Sequence, residues 1–429
     1  MKRVILALLT LVTVLTAGAQ TRLTFDGALT RAMEVNNVVE RTRQDIGVAS
    51  AARDQLLSAV MPRITLNADL TRNSIEQRFG EGDESIAILP RNDWGYRITL
   101  EQPVYAGRRE LRAYSQAKIN VENARIGVRG TEETALLRVA SSYLAVVNAD
   151  RRVDVEKRNI ELAERRLGQA QAFYEAGEVT KVDVLRAETA RKAAQRLMAV
   201  AENQREQAAA QLRTDLVLDG PIEVAPPDRA LPPLPDEATL IAHAEAARAD
   251  VDIAENNLRI AQLEVSKQRG FWLPTVRFDG GFIQQRTPFP ANEYAYGALR
   301  FTVPIFQSGE VFARVAGARS QEKKAEIAVG EAKINAREDV RRALADLRSA
   351  EIGLQLAGEQ LQAAQAEYEQ AFELYRAQEA TSLDLAASET SLADARRAVA
   401  EETLNRELAE LRVWFAAGDI KQAVGATKE

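Results

Sequence analysis

The amino-acid sequence contains an internal duplication whose two copies lie 201 residues apart. Residues 173–190 read FYEAGEVTKVDVLRAETA, and residues 374–391 read LYRAQEATSLDLAASETS. Seven positions of the first copy, Tyr174, Ala176, Glu178, Thr180, Asp183, Glu188 and Thr189, recur as Tyr375, Ala377, Glu379, Thr381, Asp384, Glu389 and Thr390. A duplication of this length predicts two halves built to one plan, because a repeated sequence unit adopts a repeated structural unit.

An apolar residue occurs at every seventh position before each copy of the duplicated segment. The first series is Val139, Val146, Val153, Ile160, Leu167 and Tyr174, and the second is Val340, Leu347, Leu354, Leu361, Tyr368 and Tyr375. Helix-forming sequence without proline extends from about residue 108 to 176 and again from about 310 to 377. These patterns predict long helices packed as coiled coils, each about 100 Å long at 1.5 Å per residue. Return helices are expected to begin at Thr180 and Thr381.

Each half also contains two segments in which apolar and polar residues alternate. The apolar positions are Ile64, Leu66, Ala68 and Leu70, then Tyr96, Ile98 and Leu100 in the first half, and Val276 and Phe278, then Leu299, Phe301 and Val303 in the second. A period of two predicts β-strands with two different faces. We therefore expect β-hairpins at about residues 63–103 and 275–304, with a loop about 11 residues longer in the first hairpin.

The number of strands limits how such a chain can form a membrane barrel. Two hairpins supply four strands, whereas the smallest usual barrel has about eight. An open strand edge in lipid would leave backbone groups without hydrogen-bond partners. The sequence therefore predicts a barrel shared among chains, and three chains favour a conduit because eight strands leave a filled interior. For the helices, the heptads suit a thin-walled tube, and a solid coiled-coil rod is the alternative.

Aromatic residues are concentrated in and beside the predicted strands. The predicted membrane-interface residues are Trp94, Tyr96, Trp272, Phe282, Tyr294 and Tyr296. Aromatic girdles of this kind border the lipid-facing band of membrane barrels.

The remaining segments define the predicted domain organisation. Residues 1–19 read as a secretory signal peptide, with Lys2 and Arg3 before a short apolar run and a small-residue cleavage site. The first structural repeat is expected at residues 20–218 and the second at residues 237–429. Residues 219–236, DGPIEVAPPDRALPPLPD, form a proline-rich linker between them.

The composition excludes several kinds of function. The chain has no cysteine and one histidine, His243, so it offers no thiolate or usual zinc site, and we expect no metal and no cofactor. A net charge of −6 with no basic block gives no indication of nucleic-acid binding. No catalytic constellation is visible, so we do not expect an enzyme.

Taken together, these features resemble the TolC family of bacterial outer membrane efflux proteins, also called outer membrane factors. The resemblance rests on the strand starts MPRITLNADL and LPTVRFDGGF, the strand ends QPVYAGR and VPIFQSGE, and the helix starts GEVTKVDVLRAE and QEATSLDLAASE. It covers essentially the whole mature chain. It implies a mixed α and β fold in which long coiled-coil helices form a periplasmic barrel and three chains share a twelve-stranded membrane β-barrel.

The resemblance also implies a function and partners. It implies a homotrimer in the outer membrane of a Gram-negative bacterium, with a long periplasmic extension, that conducts substrates passively. Its implied partners are a periplasmic adaptor (membrane fusion protein), an inner-membrane pump and outer membrane lipid. Small-molecule efflux is the favoured cargo class, with metal efflux and type I protein secretion left open. A periplasmic adaptor or an envelope scaffold without a pore is the alternative of a different class.

In the family, the periplasmic end of the tube is narrowed by acidic residues and links between helices. By resemblance, Asp183 and Asp384 occupy the aspartates of this constriction, and Tyr375 matches a linking tyrosine. This chain departs from the best-known pattern because Ala380 stands where an arginine link would be and Ala387 where a second aspartate would be. The constriction is therefore expected to be looser, or to be held by Arg186 and Arg376.

A purely structural role for the same aspartates stays open. Thr180 with Asp183, and Thr381 with Asp384, have the spacing of capping boxes, which satisfy backbone groups at a helix N-terminus and need no pore. The two roles are compatible if the turns lie where the tube narrows. The repeated acids Glu188 and Glu389 are expected to lie on solvated helix faces, with adaptor contact as the alternative.

Overall fold

The computed structural model of the protein describes residues 21–80, 85–227, 231–288 and 290–425. The predicted signal peptide, residues 1–19, lies outside the described residues. Within the described part of the chain, no helix is both long enough and apolar enough to cross a membrane.

Helices account for most of the described chain. They are α1 (Phe25–Val35), α2 (Asn37–Ser58), α3 (Arg109–Glu175), α4 (Lys181–Leu216), α5 (Glu237–Ala247), α6 (Ala249–Arg269), α7 (Glu310–Arg376), α8 (Ser382–Ala416) and α9 (Ile420–Ala423). The helices α3 and α7 have 67 residues each and occupy equivalent positions in the two copies. The prediction of two very long helices followed by return helices is confirmed.

The strands form one large sheet and two small ones. The strands are β1 (Thr21–Leu23), β2 (Arg63–Arg72), β3 (Gln77–Phe79), β4 (Ile86–Leu89), β5 (Asn92–Ala106), β6 (Ile222–Val224), β7 (Thr275–Gln285) and β8 (Glu293–Thr302). The large sheet has the order β2-β5-β7-β8, and each neighbouring pair is antiparallel. The pairing of β5 with β7 joins the two predicted hairpins. One edge of β2 and one edge of β8 have no partner strand among the described residues.

The short strands have no counterpart in the sequence prediction. Strand β1 pairs in parallel with β6, so the start of the described chain is tied to the proline-rich linker. Strands β3 and β4 pair within the longer loop of the first hairpin. Elements of three or four residues are too short for a period of two to be recognised.

The register of the large sheet separates an apolar face from a polar face. Leu66, Ile98 and Phe282 lie side by side on one face, because each is the register partner of the next. Trp94 and Tyr96 lie on this same apolar face. The opposite face carries polar side chains, among them Asp279, whose carboxylate contacts Arg277 at 2.9 Å and Arg300 at 2.6 Å.

The register divides the predicted aromatic residues between the two faces of the sheet. Tyr294 is the register partner of Ile283, and Tyr296 is the partner of Gly281, so both tyrosines lie on the polar face with Arg300. Consecutive strand residues point to opposite faces, and neither tyrosine can share a face with Phe282. Trp272 precedes β7 in a short 3-10 turn, and its ring contacts Phe312 edge-on with centroids 5.2 Å apart.

The described chain forms two compact units, each taking residues from both halves of the sequence. The first unit combines residues up to 37 with 132–241 and those from 339 onward, and the second combines 38–131 with 242–338. In the first unit, the buried Tyr143 hydroxyl contacts the backbone carbonyls of Leu23 at 3.0 Å and Ala225 at 2.5 Å. This contact fixes the β1–β6 pair to α3.

The second unit contains a close approach of two glycines where the sheet meets the helices. Gly107 has a φ of +66°, and a Cβ atom added to it would lie 2.2 Å from the Gly270 carbonyl oxygen. The next residue, Phe271, has the guanidinium groups of Arg109 and Arg314 at 4.4 and 4.6 Å from its ring centroid. Only glycine fits at this crossing, because any side chain would collide with the opposite backbone.

Candidate functional site

The duplicated segments form two helix-to-helix turns, both in the first compact unit. In each turn the backbone N–H of a glutamate, Glu178 or Glu379, donates to the carbonyl five positions earlier at 2.8 Å. This bond closes a helix through a residue in the left-handed conformation. That residue is Gly177 (φ 79°) in one turn and Gln378 (φ 63°) in the other. The second turn therefore carries backbone strain that the first avoids.

Both return helices begin with a capping box. The backbone N–H of Thr180 donates to the Asp183 carboxylate at 3.1 Å, and that of Thr381 donates to Asp384 at 2.9 Å. The threonine hydroxyls donate to the same carboxylates at 2.7 and 2.6 Å. These hydrogen bonds favour the ionised carboxylate, and the Thr381 hydroxyl is the main cause that holds the pKa of Asp384 below its ordinary value.

The two aspartates differ in their other contacts. The Ser382 hydroxyl, at the start of α8, donates to Asp183, so this aspartate links the beginnings of α4 and α8. That bond, followed by the bond from Thr180, lowers the pKa of Asp183. Arg186 lies one turn further along α4, with its guanidinium 3.6 Å from Asp183 and its side chain half exposed. Asp384 is exposed and has no helix-linking partner among the described residues.

A buried ion pair lies next to these turns and was not predicted. Arg166, on α3, donates to the Glu389 carboxylate at 2.7 Å and to the Ser382 carbonyl at 2.9 Å. Only 7% of the Arg166 side chain and 12% of the Glu389 side chain are exposed. Burial raises the pKa of Glu389 against the opposing effect of Arg166. The expectation that Glu389 is solvated is therefore wrong, whereas Glu188 is exposed as expected.

Tyr375 is buried beside the same network. Its ring lies 5.8 Å, between centroids, from the ring of Phe173, so the ends of α3 and α7 are in contact. Burial, followed by the charge of Asp183, raises the pKa of Tyr375. No hydrogen bond joins Tyr375 to either aspartate among the described residues. Its duplicate, Tyr174, is nearly half exposed.

The Arg166–Glu389 pair belongs to a series of ion pairs that join α3 to α8. Arg151 contacts Glu407 at 3.1 Å, and Glu156 contacts Arg397 at 2.6 Å. The Glu156 side chain is 6% exposed, so this pair is also largely shielded from water. Together with the Ser382–Asp183 bond, these pairs form a row of separate polar contacts from the middle of α3 to the turns.

The arrangement can fasten helices and present carboxylates, and it does not provide a metal centre. Across residues 21–80, 85–227, 231–288 and 290–425, no three histidine, aspartate or glutamate side chains are grouped to hold a metal ion. A signal for the missed ion pair exists in the duplication. The equivalent of Arg166 in the second copy is Glu367, so the copies differ in charge at this position.

Comparison with known proteins agrees with the fold. The model of a family described as outer membrane efflux protein matches residues 28–216 and 240–419. The outer membrane efflux protein BepC of Brucella suis is 22% identical over 385 residues, which cover 89% of this chain and 82% of BepC.

Two solved structures extend the comparison to three dimensions. The channel protein CusC superposes with a TM-score of 0.79 at 15% identity, covering 92% of each chain. The open state of the MtrE outer membrane channel of Neisseria gonorrhoeae superposes with a TM-score of 0.77 at 18% identity, covering 93% of this chain and 90% of MtrE. At these identities the superpositions establish the fold alone.

Proposed function

Because the chain belongs to the outer membrane efflux protein family, we propose that three copies of it together form the wall of one exit duct through the outer membrane. At the level of the family, members are trimeric and act with an adaptor and a pump. The observation that carries the proposal for this chain is the sheet whose edges on β2 and β8 have no partner strand among the described residues. Lipid cannot satisfy the backbone groups of those edges, so each edge requires the opposite edge of another copy.

The duplication supplies the register of that pairing. Strand β8 is equivalent to β5 at an offset of 201 residues, and β2 is equivalent to β7 at an offset of 212. Applying the β5–β7 register sets Arg300 opposite Asp69 and Thr302 opposite Asn67 of the next copy. Opposite charges therefore meet on the polar face, which supports the pairing.

Engineered cysteines test this register directly, because the chain has none of its own. We expect the variant Asn67→Cys/Thr302→Cys to form disulfides between copies and to stop at a species of three chains. Cross-strand partners have the Cα separation that a disulfide needs. The control Leu66→Cys/Thr302→Cys places one cysteine on the opposite face and should not cross-link. Ladders longer than three chains, or equal cross-linking of both variants, would contradict the proposal.

The turns with Asp183 and Asp384 are the proposed constriction of the duct. Asp384 supports a pore-lining role, because it is exposed and, among the described residues, bonds only to Thr381. Asp183 supports a fastening role, because Ser382 binds it. Three copies with Asp384 facing the axis would gather three carboxylates that attract cations.

Single-channel recording separates the two roles. We expect Asp384→Ala to reduce both the cation selectivity of the duct and its block by multivalent cations. We expect Asp183→Ala to change the closed state instead, because Asp183 links the beginnings of α4 and α8. Unchanged selectivity and unchanged block in Asp384→Ala would leave Asp384 as a capping residue only.

A periplasmic adaptor and an inner-membrane pump are the proposed partners, and small molecules the proposed cargo. The whole chain has four methionines and one histidine, which does not favour a path for soft metals. Deleting the gene should therefore raise sensitivity to small toxic compounds more than to copper or silver. The opposite order of sensitivities would favour the metal-efflux alternative.

A further inference from the structure

Basic residues are concentrated where the large sheet meets the helices of the second compact unit. Four segments connect the sheet to the helices at this end, residues 53–62, 107–114, 264–272 and 307–314. Together they carry seven basic and four acidic residues, a net charge of +3. At the opposite end of the sheet, residues 69–93 and 284–293 carry four basic and seven acidic residues, a net charge of −3. The positive charge is therefore a local feature of the junction between sheet and helices.

Two guanidinium groups at this junction lie over one aromatic ring. Those of Arg109 and Arg314 are 4.4 and 4.6 Å from the ring centroid of Phe271. Arg314 is paired with Glu310, on its own helix. Arg109 donates from Nε to the Ala106 carbonyl at 2.9 Å, and its Nη groups have no hydrogen-bond partner among the described residues. The Nη groups of Arg109 are therefore available to an anion, and their planar arrangement suits the oxygens of a phosphate.

Arg109 and Lys267 line the same cleft. The cleft has a volume of about 250 Å³ and lies between the end of α2, the start of α3 and the end of α6. Leu56 and Phe271 form part of its apolar lining, and Glu110 also reaches it. The ammonium group of Lys267 contacts Glu264 at 2.6 Å. The cleft thus combines two cationic side chains with an apolar surface.

Apolar side chains place this cleft beside the lipid-facing part of the chain. Trp272 follows Phe271 directly and is 43% exposed, and its ring contacts Phe312, which is 70% exposed. Tryptophan is enriched where lipid headgroups meet hydrocarbon. The apolar face of the sheet reaches the same end through the exposed Phe301, the register partner of Val276. Side chains suited to hydrocarbon and side chains that carry positive charge therefore meet at this junction.

We infer that the cleft binds the phosphate of an anionic phospholipid through Arg109 and Lys267, and that the acyl chains of this lipid lie along the apolar face of the sheet beside Trp272. Phosphate oxygens accept strong hydrogen bonds from guanidinium and ammonium groups. The net positive charge of the junction favours an anionic headgroup over a zwitterionic one. The inference requires the apolar face of the sheet to contact lipid, and it does not depend on how many copies form the duct.

Lipid binding to the purified, detergent-solubilised protein tests the inference. Native mass spectrometry at increasing lipid concentration gives a dissociation constant for dioleoylphosphatidylglycerol and for dioleoylphosphatidylcholine, which have the same acyl chains. We expect the phosphatidylglycerol to bind more tightly. Lys267→Gln and Arg109→Gln should each weaken its binding about five-fold, because each removes one cation next to the headgroup. Lys267→Arg keeps the charge and should bind this lipid as the wild-type protein does.

The matched control is Lys323→Gln. Lys323 pairs with Glu326 at 2.8 Å, as Lys267 pairs with Glu264 at 2.6 Å, but it lies about two and a half turns beyond Arg314 along α7. This variant loses the same charge and should bind phosphatidylglycerol as the wild-type protein does. An equal loss of affinity in Lys267→Gln and Lys323→Gln would overturn the inference, because binding would then follow net charge alone.

Two further outcomes would also overturn the inference. One is equal affinity of the wild-type protein for the two lipids. The other is displacement of the lipid by glycerol phosphate or inorganic phosphate at comparable concentrations, which would make the cleft a site for soluble anions. These measurements need no conductance, so a protein without a channel would refute the proposed duct and leave the lipid result standing.

Discussion

Removing the carboxylate of Glu389 should destabilise the protein by about 3 kcal/mol. In Glu389→Ala, Arg166 stays in a site where 7% of its side chain is exposed. Of its partners in the described part of the chain, it then keeps only the Ser382 carbonyl. Breaking one partner of a buried ion pair typically costs about 3 to 5 kcal/mol. The remaining bond to Ser382 and the small residual exposure favour the lower end of that range.

The pair as a whole should contribute much less than this cost. Replacing both residues, in Arg166→Leu/Glu389→Leu, removes the buried charges together, and such replacements are often neutral or stabilising. We therefore expect the double variant to be more stable than Glu389→Ala. The exposed pair Arg376–Glu373 is the matched control, and Glu373→Ala should cost no more than about 0.5 kcal/mol.

The assay is unfolding of the detergent-solubilised protein, followed by the circular dichroism of the helices at one fixed scan rate. A fixed rate is necessary because unfolding of a large assembly is governed by kinetics as well as by equilibrium. Unfolding of Glu389→Ala at the same temperature as Glu373→Ala would show that the buried ion pair does not stabilise the protein. A double variant less stable than Glu389→Ala would show that the cost does not come from the unpaired Arg166 charge.

Four further predictions concern pH and the backbone. The pKa of Glu389 is raised above 4.5, so its contribution to stability should fall as the pH rises from 4.5 through the pKa of the folded state. Glu389→Gln should remove this part of the pH dependence of the unfolding temperature. The pKa of Asp183 is lowered below 3.8, so its contribution to stability should persist above pH 3.8 and be lost only as the pH falls further. This loss should be absent when the unfolding temperature of Asp183→Asn is measured against pH. Gln378→Gly should stabilise the protein by about 1 kcal/mol in the same assay, because glycine relieves the left-handed strain, and a lower unfolding temperature would contradict this. Gly107→Ala should cost about 3 kcal/mol or more and reduce the yield of folded protein, whereas Gly127→Ala, which adds a methyl group in open space, should not.

The parts of the fold that depend on periodicity could be predicted from the sequence. The heptads through Val139 and Val340 predicted the two long helices. Both residues are fully buried, as residues of a coiled-coil seam should be. Alternation through Leu66 and Ile98 gave the strands of the large sheet, because one side of such a sheet is apolar and the other polar. The strand count then indicated a barrel that one chain cannot close.

The parts that depend on particular side-chain partners could not be predicted in the same way. Glu389 has the sequence surroundings of a solvated acid, and only Arg166, 223 positions away, makes it a buried one. The mismatch between the copies, Arg166 against Glu367, was the available signal. Tyr294 and Tyr296 were assigned by residue type, whereas the face on which they lie is set by the register with Ile283 and Gly281.

Single-channel recording of the purified wild-type protein in a planar bilayer asks whether the protein forms a duct through the membrane. A duct whose wall is formed by three copies predicts discrete conductance steps of uniform size. The current should be cation-selective and should be blocked by multivalent cations. A protein that inserts and remains folded but gives no discrete conductance would not be a duct.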